Sequence, residues 1–512
     1  MLKTEATKLL TILIAAIAFL LGNAMLSSNA FAISMPPIQD DPPEDEPDGE
    51  PEEEPEQPEE DAEPADGEEG EDTGSSDGDS PEDDTEDGDE AAEDEEEEQA
   101  PTDTFIAVVN ADAIHTISGP VLRGSTLLIK NSRIHAIGRN VKIPEEAETI
   151  DASGMHVYPG LIPPFSNGLF GRSPIADSTD VYSLTRQIAL AAGITSTTSD
   201  NEAGKMTFGT ADDLLIRPDI FVELEYGPNA PSDTRRIREA LDGIIKYRRD
   251  LAEYEQLKAD EDLGEDEESE LEAPDDSVTK GRNARFVALL DGNATALFEA
   301  DDAGSLLAIA DLSERYGIRC VIRGGLEGWT VAPQLARGDI SMIVSPRARQ
   351  DRNSDLVRDN GSTIENAKIL RDHGIRLSFM PSGGFFGSSS GISLSGLGGR
   401  DLQHYFLTAA FAVRGGMSEA DAVRAMTLDS AVILGIDDRV GSLEAGKDAD
   451  LIITDGNILH YQTLVQKAIV NGRLEYDKAD AGLLSHVRPD GDRDNTSAKP
   501  YEAWPRRLGE DW

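Results

Sequence analysis

One cysteine, Cys320, stands in 512 residues. That excludes an intramolecular disulfide and any multi-cysteine zinc site. Histidine is also scarce, at seven. Lysine and arginine are missing from residues 41–100, which hold 34 acidic side chains. The other residues carry 66 acidic and 45 basic side chains, net −21, so the formal charge of −55 belongs mostly to one segment. Phosphate binding needs clustered Lys and Arg, and a polyanion of this kind argues against nucleic acid as a partner.

What is present divides the chain. Residues 1–32 have the pattern of a signal peptide: Lys3 and Lys8, an apolar run from Leu9 to Leu26, then Ala30-Phe31-Ala32 as a small-residue cleavage site. The expectation is an exported protein, periplasmic or extracellular, with no stable membrane insertion after cleavage. The alternative is an uncleaved N-terminal anchor, since the apolar run is nearly long enough to span. Residues 33–103 are a low-complexity tract of Asp, Glu, Pro, Gly and Ser. Such a composition cannot bury enough surface to offset chain entropy, so a disordered acidic arm is expected. Asp83, Asp87, Gly88 and Asp94 fall loosely on calcium-loop spacing, but chance matches are expected in so acidic a tract.

Order is expected from Thr104. Short apolar runs broken by Gly, Asn and Asp between residues 104 and 160 predict β-hairpins. From about residue 180 helical patterns such as SLTRQIALAAG alternate with short runs such as NATALFEA, IRCVIRGG, ISMIVSP and IRLSFMP. That alternation predicts parallel strands with helices outside. A helix is expected from Arg235 to Leu257 and a strand from Phe286 to Leu290, with an acidic surface insertion over 258–280 between them. The runs DADLIITDG and KAIVNGRLEYD return to the hairpin style. A composite β-domain from residues 104–160 and 436–478 would thus flank a barrel over 161–435, with a tail at 479–512.

The segment MTLDSAVILGIDDRVGSLEAGKDADLIITDG, residues 426–456, carries a long pattern: a helix over Thr427–Leu434 ended by Gly435, turns at Gly441 and Gly446, and Asp448 and Asp450 leading into Leu451-Ile452-Ile453. With Tyr158-Pro159-Gly160-Leu161-Ile162 near the other end, it resembles the amidohydrolase superfamily, most closely the imidazolonepropionase-like group. The resemblance covers roughly residues 104–478. It implies a distorted (β/α)8, TIM-like barrel of α/β class plus a small β-sandwich domain built from both ends of the ordered chain. In the family it implies zinc and hydrolysis of carbon–nitrogen bonds other than peptide bonds.

The implied metal ligands are substituted here. Phe165 and Asn167 stand where the family has an H-x-H pair, with Pro163 in place of an aspartate. Glu299 and Arg323 stand at the next two histidine positions. Ser382 stands near the position of the catalytic aspartate, at the end of the expected eighth strand. Phe has no donor atom, an Asn carbonyl is a poor zinc ligand, and a guanidinium repels a cation. No histidine sits at the C-terminal end of an expected barrel strand, where the site of such a barrel is built. The expectation is no metal and no other cofactor, with a Glu299–Arg323 pair filling the mouth in place of the cation. A second reading makes Glu299 a metal-free general base and Arg323 an oxyanion stabiliser.

Gly383 to Gly399 predicts a flexible loop over the mouth, since it lacks a phosphate-loop ending, and Arg347, Arg349 and Arg352 predict a solvated loop. The leading function is therefore a catalytically degenerate exported amidohydrolase-like protein acting as a binding or partner subunit. Its expected partner is a second copy or a metal-complete relative. An active hydrolase of cyclic amides and an extracytoplasmic structural module on an acidic arm are the alternatives.

Overall fold

The computed structural model describes residues 103–171, 174–259, 272–381, 392–393 and 405–480. The leader, Ser382, His404, His486 and most of the acidic arm, the tail, the Gly/Ser loop and the acidic insertion lie outside the described residues. The chain divides into two units after residue 95, and every described element belongs to the second.

The chain opens with β1 (Phe105–Ala111), β2 (Ala113–Ile114), β3 (Ser125–Lys130), β4 (Arg133–Gly138), β5 (Glu148–Asp151) and β6 (His156–Pro159). Four of them form a sheet ordered β4-β3-β1-β5, with β1 antiparallel to β3 and parallel to β5. The β3–β4 hairpin turns on Asn131, whose positive φ of 56° is the left-handed conformation such turns require.

The barrel segment comes next. Its strands are β7 (Ser166–Asn167), β8 (Ser196–Ser199), β9 (Glu202–Lys205), β10 (Leu215–Arg217), β11 (Phe221–Glu223), β12 (Thr295–Ala300), β13 (Cys320–Gly324), β14 (Ser341–Val344), β15 (Arg376–Phe379) and β16 (Ile392–Ser393). The five from β11 to β15 form one parallel ladder, and β16 lies parallel to β7. Leu161 bridges Ile194 in parallel, bringing the stretches that lead into β7 and β8 side by side. Gly160 is required there, because a Cβ on it would lie 1.8 Å from Thr195 Oγ1. The distortion lies between β8 and β11, where the chain makes an antiparallel excursion, β8-β9-β10. Asn201 spans the gap: Phe221 N donates to its Oδ1 (2.8 Å) and its Nδ2 donates to Phe221 O (2.9 Å). One side-chain amide thus replaces a rung of ladder. The run expected as the eighth strand contains β15, which ends the five-stranded ladder, and the parallel partner of β7 is β16 instead.

Besides a single helical turn over Ile175–Ser178, the helices are α1 (Leu184–Ala191), α2 (Pro231–Lys258), α3 (Ala284–Leu290), α4 (Ala303–Tyr316), α5 (Ala332–Arg337), α6 (Asn366–Asp372), α7 (Tyr405–Arg414), α8 (Glu419–Met426) and α9 (Leu428–Leu434). The strand expected over Phe286–Leu290 is helix α3. Phe286 and Leu289 are its buried pair, three residues apart on one helical face, and a short apolar run cannot reveal that choice by itself. The α2 helix exceeds its expected span at both ends and begins with Pro231 at the first position. Asp302 caps α4, accepting from Ser305 N (3.0 Å), an interaction worth about 1 kcal/mol. Gly435 ends α9 at φ 67°, and a Cβ there would strike Arg217 Nη1 at 2.0 Å. Among the described residues no helix is long and apolar enough to cross a membrane.

The last strands, β17 (Leu451–Thr454), β18 (Val465–Val470) and β19 (Arg473–Asp477), join the first ones in a sheet ordered β19-β18-β17-β6-β2. Both faces of that sheet are covered. Leu451, Ile453, Ile469 and Val157 pack into the core shared with Val108, Leu127, Ile129 and Ile134 of the other sheet, which makes the β-sandwich. Their neighbours Ile452, Ala468, Val470 and Tyr158 face the core beneath the barrel helices. Strand side chains alternate between faces, so burial on both gives the continuous apolar run in β17.

A buried charge cluster locks the two parts together. Lys205, at the end of β9, is fully buried and lies 2.7 Å from Asp448 and 3.1 Å from Asp450. Arg439 also holds Asp448, at 2.7 Å. The D-A-D sequence before β17 is thereby explained: Asp448 and Asp450 turn inward to Lys205 while Ala449 packs in the sandwich core. Removing one member of such a cluster costs about 3–5 kcal/mol.

Candidate functional site

Period-2 alternation decides what lines the barrel. On β12, Ala296, Phe298 and Ala300 face the helices, and Leu297 faces inward. On β13, Cys320 and Ile322 face the helices, and Val321 faces inward. Leu297, Val321 and Ile343 form an apolar layer closed by Ile162, Phe221 and Met380 on one side and by Ala431, Ile433 and Leu434 of α9 on another. Two residues further along each strand, Glu299 and Arg323 rise from that layer at the C-terminal ends of β12 and β13.

The two are register partners, and Arg323 Nη2 donates to Glu299 Oε2 at 2.8 Å. The guanidinium also lies over the Phe165 ring, 5.3 Å from its centroid. Phe165 in turn packs against Phe221 at 5.9 Å, tilted by 41°. Three of the positions singled out from the sequence therefore meet at one place. Asn167 is exposed on β7, where its backbone pairs with Ser393. Ser382 lies outside the described residues. The Arg323 side chain is 20% exposed and Glu299 59%, so the pair is partly screened by solvent and worth about 0–1 kcal/mol. Arg323 Nε is buried and makes no hydrogen bond among the described residues.

Beside this pair opens a cleft of about 650 Å³, lined by Glu223, Glu225, Tyr226, Asp301 and Asn229 along with Glu299 and Arg323. Glu223 ends β11 and Glu225 follows two residues beyond it, and both line the cleft. Asp301 is exposed as a residue, but the cleft walls desolvate its carboxyl, and repulsion from Glu299 adds to this. Its pKa rises despite the opposing amide of Leu326. Tyr226 forms a wall, its ring edge-on to Phe298 and its hydroxyl accepting from Arg238 Nε at 2.6 Å.

Loops around the mouth are fastened by Glu327, a buried carboxylate that local patterning did not mark. It accepts from Ala303 N (2.9 Å), Gly361 N (3.0 Å) and Arg358 Nη1 (2.8 Å). Burial alone would raise its pKa, but those donors outweigh it and hold the carboxyl below its ordinary value. Glu223 and Glu225 could have been found from the alternation in FVELEYG. Asp301 and Glu327 offered no such signal, because their environment is made by separate loops. Arg347 is not purely solvated as expected: its guanidinium lies 4.9 Å from the Phe411 ring centroid.

The residues do not fit a zinc ion of the kind the resemblance implies. Of the positions where the resemblance implies ligands, one is a phenyl ring and another a guanidinium lying on that ring. Among the described residues no group of three or more His, Cys, Asp or Glu is arranged to hold a metal. The histidines that the structure describes lie elsewhere. His115 and His156 stack with Tyr158 in the β-sandwich, with ring centroids 4.0 Å apart for His115 and Tyr158. His373 caps α6.

Residues 327–482 match the model of the amidohydrolase family. Among solved structures, the fold is similar to an amidohydrolase from Thermotoga maritima MSB8, at 20% identity over 73% of this chain and 100% of that one, with a TM-score of 0.53. Fainter likenesses, with TM-scores of 0.41 and 0.37, reach an adenosine deaminase from Xanthomonas campestris with bound zinc and a triazine hydrolase variant. Both are 17% identical; they cover 75% and 79% of this chain and 97% and 100% of theirs. No curated protein matches the chain.

Proposed function

We propose, from the premise that this chain belongs to the amidohydrolase superfamily, that it is an exported member whose barrel mouth binds rather than hydrolyses. The observation that carries this is Arg323, held between Glu299 and the Phe165 ring where the family's pattern has histidines. Metal-assisted hydrolysis needs a cation that lowers the pKa of bound water and a carboxylate to move its proton. A guanidinium supplies charge but no ligand position for water. The protein then works as a binding or partner subunit, with a second copy or a metal-complete relative as its partner. Its place is the periplasm or the extracellular space.

The test is turnover of lactams, imidazolones and other cyclic amides by the purified chain with and without added zinc. The expected result is no zinc-dependent rate, and none after Phe165→His with Asn167→His, because Arg323 remains. A rate abolished by a chelator and restored by zinc would overturn the reading.

A second reading draws on the raised pKa of Asp301 in the same cleft. A carboxyl whose surroundings favour its neutral form is a candidate general acid beside Glu299 as base, with no metal. It predicts a chelator-insensitive hydrolysis that Asp301→Asn removes.

A further inference from the structure

Asn-Gly at the tip of a β-hairpin is an ordinary turn, and its asparagine side chain usually meets solvent. Asn471 adopts the left-handed backbone such a turn needs, at φ 50°, between β18 and β19. Its side chain is nevertheless buried, at 7% exposure. It reaches Lys205, whose Nζ lies 2.5 Å from Asn471 Oδ1. Lys205 is at 0% exposure and Asp450 at 4%. Asp450 completes the group: its Oδ1 accepts from Asn471 N (2.8 Å), and its Oδ2 lies 3.1 Å from Nζ.

From this arrangement we infer that Lys205 and Asn471 are the partners of an intramolecular isopeptide bond, formed with Asp450 as the acid–base group. Three requirements meet here. A nucleophilic amine touches the oxygen of the amide whose carbon is the electrophile. Water, which would compete for that carbon, is excluded by burial. A carboxyl touches the amine and can carry its proton.

The two aspartates have different tasks. Asp448 is shared with Arg439, whose Nη2 is 2.7 Å away, and despite burial its pKa is held down by Lys205 and Arg439. Among the described residues no arginine pairs with Asp450, and burial drives its pKa up. Its Oδ2 takes no hydrogen bond among the described residues and is the oxygen placed to hold a proton.

The step balances without an oxidant. Asp450 takes one proton from the Lys205 ammonium. The neutral Nζ attacks Asn471 Cγ, forming the N–C bond. A second proton passes from Nζ to the amide nitrogen as the Cγ–Nδ2 bond breaks, and that nitrogen leaves as ammonia. The leaving side faces Asp212 O, 3.5 Å from Nδ2. Asp212 itself is exposed, which gives the ammonia a route out. The product ties β9 of the barrel segment to the last hairpin of the β-sandwich.

The test is mass spectrometry of the full-length purified protein after tryptic digestion. The expected result is a branched peptide joining the Lys205 and Asn471 segments, lighter than their sum by about 17 Da, the mass of one ammonia. It should disappear in Asn471→Ala and Asp450→Ala. Separate, unmodified Lys205 and Asn471 peptides from the wild-type chain would overturn the inference, whether or not the variants fold. So would a loss of the same mass confined to the Asn471–Gly472 peptide and cleaved by hydroxylamine, since that is a succinimide.

Discussion

Acidification should loosen the β-sandwich through His115. Its ring is stacked on Tyr158 at 4.0 Å, and its Nε2 lies 3.2 Å from His156 Nδ1. Burial, then the charges of His156 and Arg123, lower its pKa from 6.5 to about 4. The unfolded chain therefore binds a proton between those values that the folded chain refuses. Stability from this group is complete above pH 6.5 and is lost as pH falls toward about 4. The full shift corresponds to a ceiling of about 3.4 kcal/mol. Because the ring is only half-buried, solvent screening brings the expected loss to about 1–2 kcal/mol. Urea denaturation of wild type and of His115→Phe, each from pH 7 down to pH 4, reads the effect of His115 together with its coupling to His156. Phenylalanine keeps the stack but cannot take a proton. The wild type should lose about 1–2 kcal/mol more than the variant over that range. Parallel curves would refute the assignment, because shared carboxylate titrations cancel in the difference.

Two further outcomes are expected. Asp429→Ala removes a buried carboxylate that accepts from Arg371 Nη1 at 2.8 Å and Arg424 Nε at 3.0 Å, tying α6 and α8 to α9, and should cost about 3 kcal/mol in chemical denaturation. Burial raises the pKa of that carboxyl despite both arginines, so Asp429→Asn should cost less than Asp429→Ala. N-terminal sequencing of the mature protein should give a start near Ile33, and a start at Met1 would contradict the leader.

Local patterns made much of the fold legible. The end of α9 at Gly435 and the strand after Asp450 follow from short-range rules of capping and burial. Lys205 could not be seen as their partner, because it lies 243 residues from Asp448 and reaches it only through the antiparallel excursion. The same excursion hid the role of Asn201, an ordinary turn residue in sequence. The helix over Phe286–Leu290 stays hidden because helix and buried strand share the same apolar run at that length. Glu299 and Arg323 stand out through the family pattern rather than any property of their neighbours, and their register pairing then follows from parallel strands. Asp301 and Glu327 escape because their chemistry is conferred by loops distant in sequence.

The proposal that Arg323 takes the place of a metal at the mouth is tested most directly by metal content. The wild-type chain, purified without chelator and dialysed against zinc, should be measured by elemental mass spectrometry. The expected result is far less than one zinc per chain. One tightly held zinc per chain, lost on Glu299→Gln, would place a metal at the mouth and contradict the binding role drawn from Arg323.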